Sequence, residues 1–415
     1  MRRKGDIDWL ILVTAATLVI VGLGLIYSVF HPHQNGYTEE VHRVYFSRQL
    51  IWACLGAVAM ILGFAVPFRY YEALAFVFYA LGMVFLVVVL FVGAGQQTQR
   101  WISLGPLKIQ PSEFMKIALM FVWARVLSGQ RGGVDRTKKV LLALVLSLVP
   151  FLLVLKQPDL GTAIVLFVII FPVLYWRGVK GYHILFFLSP IVAILLIIYG
   201  EEITGNPWPF GIYIVLIFIV AYLKRSDLKA SVSLVVANLG FGLVLPFAWQ
   251  HLKGYQQERI LSFLDPGSNR LDQGWQVFQS KIAIGSGGLS GKGFLLGTQK
   301  ALEFLPAKHT DFIFSVLGEE VGFIGAILVL ILFSVLIVRA LSLADKTKSE
   351  FASTVCVGIA AYFFFQVFVN VAMTTGMAPV TGIPLPFLSY GGSSLVVSCF
   401  FVGFLLNCSV RWFEY

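Results

Sequence analysis

The sequence predicts an all-α polytopic membrane protein with about twelve transmembrane helices and both termini in the cytoplasm. Of its 415 residues, 58% are hydrophobic and only 13% are charged. The apolar residues also fall into runs of about 20, the length at which a helix spans a bilayer. Inside a bilayer only helices and closed barrels satisfy their own backbone groups. The composition therefore excludes a disordered chain and an ordinary soluble enzyme.

Twelve apolar runs are the candidate spans, with edges defined to within a few residues. Pro158 predicts a break between two of them, because the residue before a proline avoids the helical region. The candidate spans are 9–30, 49–67, 72–93, 112–128, 140–155, 159–176, 182–199, 207–223, 230–250, 311–338, 353–377 and 385–410.

One segment between the spans, 251–309, is long enough to build a structure of its own. It is rich in glycine with interleaved aromatic residues, and a loop of this length without a function is uncommon. We expect a single transmembrane domain, 1–415, that contains 251–309 as a long extracytoplasmic loop.

The formal net charge of +10 is first of all a topology signal. When the N-terminus is placed in the cytoplasm, most Lys and Arg residues of the short loops fall on the inner side. This distribution follows the positive-inside rule, so the basic charge predicts orientation and no nucleic-acid partner. The polar segments of the opposite, outer side mix acidic and basic residues, which makes that side the candidate location of chemistry.

A glycine-rich run within 251–309, Gly285–Gly293, has the look of a phosphate-binding loop. It lacks the glycine that a P-loop places six residues before Lys292, and it also fails the dinucleotide-binding pattern. The favoured interpretation is a flexible hinge. The weaker one is a nest of backbone N–H groups near an anion, assisted by Lys292.

Asp311 stands where the tenth predicted span begins. An acidic residue there is most simply a helix cap that suits the positive end of the helix dipole. The functional alternative is a general base at the lipid–water boundary, with Lys308 and His309 beside it. Glu319 follows about 80° round the helix, and a carboxylate at that depth indicates either function or a buried pair.

The fourth span begins with Glu113 and Lys116, which lie three residues apart on one helix face and can pair. They form either a self-neutralising ion pair or, with Arg100, a cationic site for a phosphate at the outer leaflet. Asp159, directly after Pro158, is either a helix cap or an acid of the outer face.

Five short motifs are spread over most of the chain. They are Gln110–Glu113, Gln157–Thr162, Gln279–Gly288, Glu303–Phe314 and Pro384–Ser393. In this order they resemble the motifs of the SEDS proteins, the bacterial shape, elongation, division and sporulation proteins. The run from Gln279 and the Gly297-Thr-Gln sequence are more similar to the elongation branch than to the division branch.

This resemblance implies a peptidoglycan glycosyltransferase that polymerises lipid II at the outer face of the bacterial plasma membrane during cell elongation. It implies a class B penicillin-binding protein, a transpeptidase, as partner, together with other proteins of the elongation complex. Asp311 matches the essential acid of the family. No cofactor is implied with certainty, and a divalent cation stays open. Five further residues match positions that the family treats as functional: Arg48, Arg100, Glu113, Lys116 and Asp159.

The resemblance leaves two points open. SEDS proteins usually have ten spans, so the sequence within 182–250 is predicted to carry an added pair of spans. A lipid II flippase is the alternative function, and a transporter is expected to place its charged groups near the middle of the membrane. A scaffold that only recruits partners is a third class, and it would tolerate the loss of Asp311.

Overall fold

The computed structural model describes residues 6–31, 39–93, 100–105, 107–129, 134–200, 205–206, 208–223, 273–298 and 309–414, and a few positions between 235 and 263. The helices are α1 (Trp9–Val29), α2 (Glu39–Ala65), α3 (Phe68–Ala73), α4 (Ala75–Val92), α5 (Pro111–Leu127), α6 (Val134–Lys156), α7 (Leu160–Val168), α8 (Ile170–Trp176), α9 (Gly181–Ile198), α10 (Trp208–Leu223), α11 (Gln273–Ser286), α12 (Ile313–Lys346), α13 (Glu350–Thr374) and α14 (Gly392–Arg411).

The prediction of a helical membrane protein is confirmed. Within the described residues, seven helices are long and apolar enough to cross a membrane, and the shorter stretches Leu160–Trp176 and Trp208–Ile219 are also apolar. The number twelve stays a prediction, since most of the proposed span 230–250 lies outside the described residues. The break at Pro158 is confirmed, because α6 ends at Lys156 and α7 begins at Leu160.

Two predicted span boundaries are wrong, and two predicted connections contain secondary structure. The last span was expected from residue 385, yet its helix, α14, begins at Gly392. The second span was expected from residue 49, yet α2 begins at Glu39. Hydropathy marks only the part of a helix inside the apolar layer, and this helix continues beyond that part. Arg48 consequently lies on a helix and not in a loop. The predicted loop 251–309 contains α11, a helix of 14 residues. The predicted connection before the fourth span contains a short hairpin, described next.

The hairpin is the one β-sheet among the described residues. Its antiparallel strands are β1 (Ile102–Leu104) and β2 (Leu107–Ile109), and Leu104 pairs with Leu107. Gly105 has a φ of 62° at the turn, a conformation that glycine adopts without steric cost. The hairpin leads directly into α5, so it fixes the approach to the Gln110–Glu113 motif.

The chain separates into two compact units, one made of Met1–Arg177 with Gln276–Tyr415 and the other of Gly178–Trp275. The second unit contains α9 and α10 and includes the predicted added segment, 182–250. Within this unit, Ser189 links neighbouring segments, since its carbonyl accepts a hydrogen bond from Tyr213 Oη (2.7 Å) and its hydroxyl accepts one from Asn238 Nδ2 (2.9 Å). All candidate site residues that the structure describes belong to the first unit.

Several basic residues that the sequence assigned to the inner side have acidic partners at the corresponding ends of the helices. These pairs give a local structural role to charges that the sequence analysis interprets as topology signals. They are Arg125 with Glu72 (2.9 Å), Arg177 with Glu350 (2.6 Å) and Arg339 with Asp8 (2.5 Å).

Helices α2 and α14 pack so closely that glycines are required between them. A Cβ built on Gly403 would lie 2.0 Å from the Met60 carbonyl oxygen, and one on Gly63 would lie 2.6 Å from that of Phe400. Asn407 adds a hydrogen bond from Nδ2 to the carbonyl of Gly63 (3.0 Å). Small residues with interhelical hydrogen bonds are typical of helix packing in membranes.

We expect Gly403→Leu to force α2 and α14 apart and to lower the free energy of unfolding by about 1–3 kcal/mol or more, the usual cost of overpacking. Thermal unfolding in detergent measures the effect. Gly24→Leu is the matched control, because a Cβ on Gly24 of α1 meets no atom within 4 Å. Equal melting temperatures for the two variants would contradict the prediction.

Candidate active site

Asp311 lies two residues before α12 begins, and it faces the irregular segment 375–391, which connects α13 to α14. Its carbonyl oxygen accepts a hydrogen bond from Asn370 Nδ2 (3.0 Å), and the same amide donates to the carbonyl of Ile383 (2.8 Å). A Cβ built on Gly382 would lie 3.3 Å from Asp311 Oδ2, so a side chain at that position would crowd the carboxylate. Asp311 is half-buried. The backbone on either side of the carboxylate is thus held in place.

The favoured interpretation of Asp311 as a helix cap is wrong. Phe312 occupies the N-cap position of α12, and it makes no side-chain cap hydrogen bond. Phe312 is instead buried in a small apolar core with Ala283 of α11 and Val380 of the 375–391 segment. This core anchors the chain next to Asp311 on two other elements.

The two residues that precede Asp311 are tied to the same segment. Tyr390 donates its backbone N–H to the carbonyl of His309 (2.8 Å), and Ser389 Oγ donates to the carbonyl of Thr310 (2.6 Å). Ser389 Oγ in turn accepts from the backbone N–H of Leu385 (2.8 Å). The 375–391 segment thus fixes the chain on the N-terminal side of the carboxylate. Lys308, which the sequence placed beside it, lies outside the described residues.

Aromatic rings surround His309 at this end of the bundle. The His309 ring centroid lies 5.2 Å from that of Phe30, 5.9 Å from that of Tyr45 and 5.7 Å from that of Tyr390. Phe30 and Tyr45 are stacked at 4.2 Å, which joins the end of α1 to the beginning of α2. The rings therefore connect both helices to the residues around Asp311.

Arg48, on α2, contacts the aromatic rings around His309 through Tyr390. Burial raises the pKa of the Tyr390 hydroxyl, and the Arg48 guanidinium, which is hydrogen-bonded to it, opposes that shift in part. The hydroxyl consequently stays protonated at neutral pH. Arg48 supplies a cation close to the segment that supports Asp311.

Asp159 is the centre of a second polar group. Arg100 pairs with it (Nη1 to Oδ1, 3.8 Å), and Gln110 Nε2 donates to Oδ2 (2.8 Å). The backbone N–H of Thr162 also donates to Oδ1 (3.2 Å), so Asp159 is the N-cap of α7. The helix-cap interpretation of Asp159 is therefore confirmed, and the same side chain also pairs with Arg100.

The 375–391 segment and the start of α14 connect the two groups. A Cβ built on Gly161, two residues after Asp159, would lie 2.4 Å from the carbonyl oxygen of Thr381. The backbone N–H of Gln110 donates to Ser393 Oγ (2.9 Å). Asp311, Asp159, Arg100 and Arg48 thus lie at one end of the bundle.

We expect Asp159→Ala to lower the stability of the protein more than Asp159→Asn. Alanine removes a helix cap, at a cost of about 0.5–2 kcal/mol. Asparagine keeps an oxygen that accepts from Thr162, and it loses the charge opposite Arg100 and the second oxygen that accepts from Gln110. Thermal unfolding of the two variants measures the difference. Ser349→Ala, which removes the N-cap of α13, calibrates the loss of a cap alone. Equal destabilisation by the two substitutions of Asp159 would refute the capping role.

Glu113 and Lys116 form the predicted pair, but inside the protein. Their Nζ–Oε1 distance is 2.6 Å, and both side chains are at most 3% exposed. When the Gln366 amide is oriented to satisfy its neighbours, it accepts from Lys116 Nζ (2.9 Å) and donates to the carbonyl of Pro384 (2.9 Å). This geometry favours the self-neutralising pair over a phosphate contact at the membrane surface. Through Pro384 the pair also supports the 375–391 segment.

Lys292 and Glu319, both candidate site residues in the sequence, bind each other. Lys292 Nζ lies 2.7 Å from Glu319 Oε1, and Thr298 donates to the same oxygen from its backbone N–H (2.7 Å) and its hydroxyl (3.0 Å). Glu319 is 1% exposed. Glu320 faces another element, where Ser28 Oγ donates to its carboxylate (2.5 Å). Glu319 and Asp311 therefore contact different parts of the chain.

The flexible-hinge interpretation of the glycine-rich run is wrong as well. Residues 287–298, named the strap below, are hydrogen-bonded along α12. A Cβ on Gly287 would lie 2.0 Å from the carbonyl oxygen of Gly318, and one on Gly291 would lie 2.1 Å from that of Glu320. These glycines allow the backbone of the strap to lie directly against the backbone of α12. The weaker interpretation, an anion nest, finds no support in these contacts.

Sequence reasoning missed the 375–391 segment as the support of the site, since its motif was used only for resemblance. The sequence did contain a signal for this support. Gln366 and Asn370 are polar residues, four positions apart, in the otherwise apolar helix α13. Both are buried, and buried polar groups in membrane helices serve as hydrogen-bonding partners. Among the described residues, no group of three or more His, Cys, Asp or Glu side chains is arranged to hold a metal ion.

The fold and the site define a polytopic helical membrane protein with a carboxylate-centred polar site at one end of its helix bundle. The family model for FtsW, RodA and SpoVE, described as "Cell cycle protein", matches residues 8–209 and 208–412. The chain therefore belongs to this family, as its motifs predict.

Named relatives agree with the family. The chain is 36% identical over 353 residues to the peptidoglycan glycosyltransferase MrdB of Escherichia coli K12, covering 84% of this chain and 81% of that one. It is 32% identical to the peptidoglycan glycosyltransferase RodA of Treponema pallidum, covering 99% of this chain and all of that one. The predicted class of enzyme, peptidoglycan glycosyltransferase, is confirmed by these relatives.

Two solved structures share the fold. One belongs to a peptidoglycan synthase complex that coordinates polymerization and crosslinking, with a TM-score of 0.71, 30% identity and 99% of both chains covered. The other is the rod shape determining protein RodA of Thermus thermophilus, with a TM-score of 0.62, 26% identity and 98% of both chains covered.

Proposed function

We propose that this protein polymerises lipid II into glycan strands at the outer face of the bacterial plasma membrane, with Asp311 as the general base. The observation that carries the proposal is the placement of Asp311. Its backbone is fixed by Asn370 and by its neighbours' bonds to the 375–391 segment, while its half-buried carboxylate faces Gly382. A rigid backbone with an accessible carboxylate is what a positioned base requires.

The chemistry needs a base and cations at one place. The 4-hydroxyl of a sugar attacks the anomeric carbon of a second sugar and loses its proton to Asp311. The bond from that carbon to the pyrophosphate oxygen breaks, and the lipid pyrophosphate leaves with the negative charge. Arg48 and Arg100 lie at the same end of the bundle, where fixed cations stabilise such a departing anion. Lys308 is proposed to assist them.

Other predicted contacts take supporting roles in this proposal. Glu113 and Lys116 are buried with Gln366, and Asp159 neutralises Arg100 from the end of α7. These residues shape the substrate site by holding the 375–391 segment and Arg100 in place. Asp311, Arg48, Arg100 and Lys308 remain as the side chains proposed to contact the substrate.

A role in cell elongation is supported by similarity to MrdB and RodA, although relatives named FtsW and stage V sporulation protein E are about as similar, at 32% and 33% identity. A class B penicillin-binding protein is the proposed partner, in keeping with the synthase complex that shares the fold. Other elongation-complex proteins are expected to join this pair. The site faces outward in this proposal, because lipid II is polymerised on that side.

The test uses purified protein in detergent with labelled lipid II, alone and with its penicillin-binding partner. Glycan polymer that is visible on a gel and sensitive to a muramidase is the expected result. Absence of polymer under both conditions contradicts the proposal. Restoration of a rod shape to cells depleted of their elongation enzyme separates elongation from division.

Lipid II transport is the second candidate, and one observation favours it. Helix α12 is interrupted at Gly322 next to the buried carboxylates of Glu319 and Glu320, and interrupted helices with buried charges are typical of transporters. Vesicles that contain the protein and fluorescent lipid II measure transbilayer movement directly. Movement without polymer synthesis would select the transporter.

A further inference from the structure

The strap, residues 287–298, replaces the hydrogen bonds that α12 lacks at its interruption. Gly322 has a φ of 73° inside the helix. The helical hydrogen bonds from the N–H of residue 323 to the C=O of 319, and from the N–H of 324 to the C=O of 320, therefore cannot form. Each of the four orphaned groups bonds to the strap instead. The four bonds are Lys292 N to Glu319 O (2.9 Å), Gly293 N to Glu320 O (3.0 Å), Phe323 N to Gly288 O (2.9 Å) and Ile324 N to Leu289 O (3.1 Å).

The interruption divides α12 into two half-helices, 313–321 and 323–346. The first is about 13 Å long at 1.5 Å per residue, and Asp311 lies two residues before its first residue, Ile313. Buried backbone groups without partners are costly in a membrane protein, so the strap is required for the interruption to exist. The direction of the first half-helix, and with it the position of Asp311, consequently depends on the strap.

One side-chain cluster fastens the strap to the first half-helix. Glu319 Oε1 accepts three hydrogen bonds, from Lys292 Nζ and from the backbone and hydroxyl of Thr298. Glu319 is 1% exposed, while the Lys292 side chain is 27% exposed. The buried carboxylate therefore holds the strap at two places, at the partly exposed Lys292 and at Thr298, the last residue of the strap.

We propose that Lys292 and Glu319 form a clasp that positions the Asp311 half-helix, and that neither residue binds substrate. The clasp rests on the proposed function only in that Asp311 is the group it positions. A misplacement of about 1 Å at a reacting group can lower the rate about 10²-fold. Loosening the clasp therefore lowers kcat and leaves the KM for lipid II nearly unchanged. Loss of a substrate-binding lysine would raise KM instead.

A double-mutant cycle with Lys292→Met and Glu319→Gln tests the clasp. Each single variant is expected to lower kcat about 10-fold or more, and the double variant no further, because the two residues act as one unit. Lys292→Arg keeps the charge and the donors and is expected to retain most of kcat. Multiplying losses in the double variant, or a change confined to KM, would overturn the proposal.

Hydrogen exchange supplies a readout that does not need activity. In Lys292→Met, amides of 313–321 and of Phe323 and Ile324 are expected to exchange faster, while those of α13 keep their rates. Unchanged exchange throughout α12 overturns the clasp. If the wild-type protein makes no polymer, the proposed function fails, and the exchange experiment still decides on the clasp.

Discussion

Asp311→Asn is expected to abolish glycan polymerisation while the protein still folds and inserts into the membrane. Asparagine has the shape of aspartate but cannot accept a proton from the attacking hydroxyl, and a general base contributes about 10²–10⁴-fold to the rate. The hydrogen bond from Asn370 goes to the backbone carbonyl of residue 311, so the substitution leaves it intact. Polymer formation from labelled lipid II measures the loss.

Asp345→Asn is the matched control for this experiment. It makes the same chemical change near the opposite end of α12, where Asp345 is exposed. The control is expected to keep full activity, and both variants are expected to unfold at the wild-type temperature. Polymer synthesis by purified Asp311→Asn at an undiminished rate would falsify the assignment of the base.

Some features of the site could be predicted from the sequence because they depend only on residues close together in the chain. Pro158 ends one helix, and Glu113 and Lys116 pair across one turn, because these effects involve only neighbouring residues and elementary geometry. The identity of the family was also accessible, since its motifs are contiguous. Each of these predictions depended on interactions within a few residues along the chain.

The remaining features depend on contacts between distant segments. The strap was interpreted as a flexible hinge because glycines in a loop indicate freedom, and nothing local reveals that α12 lacks hydrogen bonds at Gly322. The 375–391 segment was missed for the same reason, since its carbonyls find Asn370 and Gln366 only in the folded bundle. A pattern shows where a polar group lies, whereas its partner is decided by tertiary packing.

The burial of Lys116 changes what its mutation is expected to do. A lysine at the surface that bound phosphate would affect substrate affinity alone. A lysine paired at 2.6 Å with Glu113, and 2% exposed, also stabilises the fold, because its removal leaves a buried carboxylate without its counter-charge. One oxygen of that carboxylate, Oε2, already has no hydrogen-bond partner among the described residues, so the remaining contacts matter more.

We expect Lys116→Met to lower the free energy of unfolding by about 3–5 kcal/mol, the usual cost of breaking a buried ion pair. The double variant Lys116→Met/Glu113→Gln should recover much of this loss, because it removes the unpaired charge as well. Arg125→Met is the control on the same helix, since the pair of Arg125 with Glu72 is 47% and 29% exposed and such pairs contribute about 0–1 kcal/mol. Chemical or thermal unfolding in detergent ranks the three proteins. Equal stability of Lys116→Met and Arg125→Met would show that Lys116 is solvated, and would return it to the list of substrate ligands.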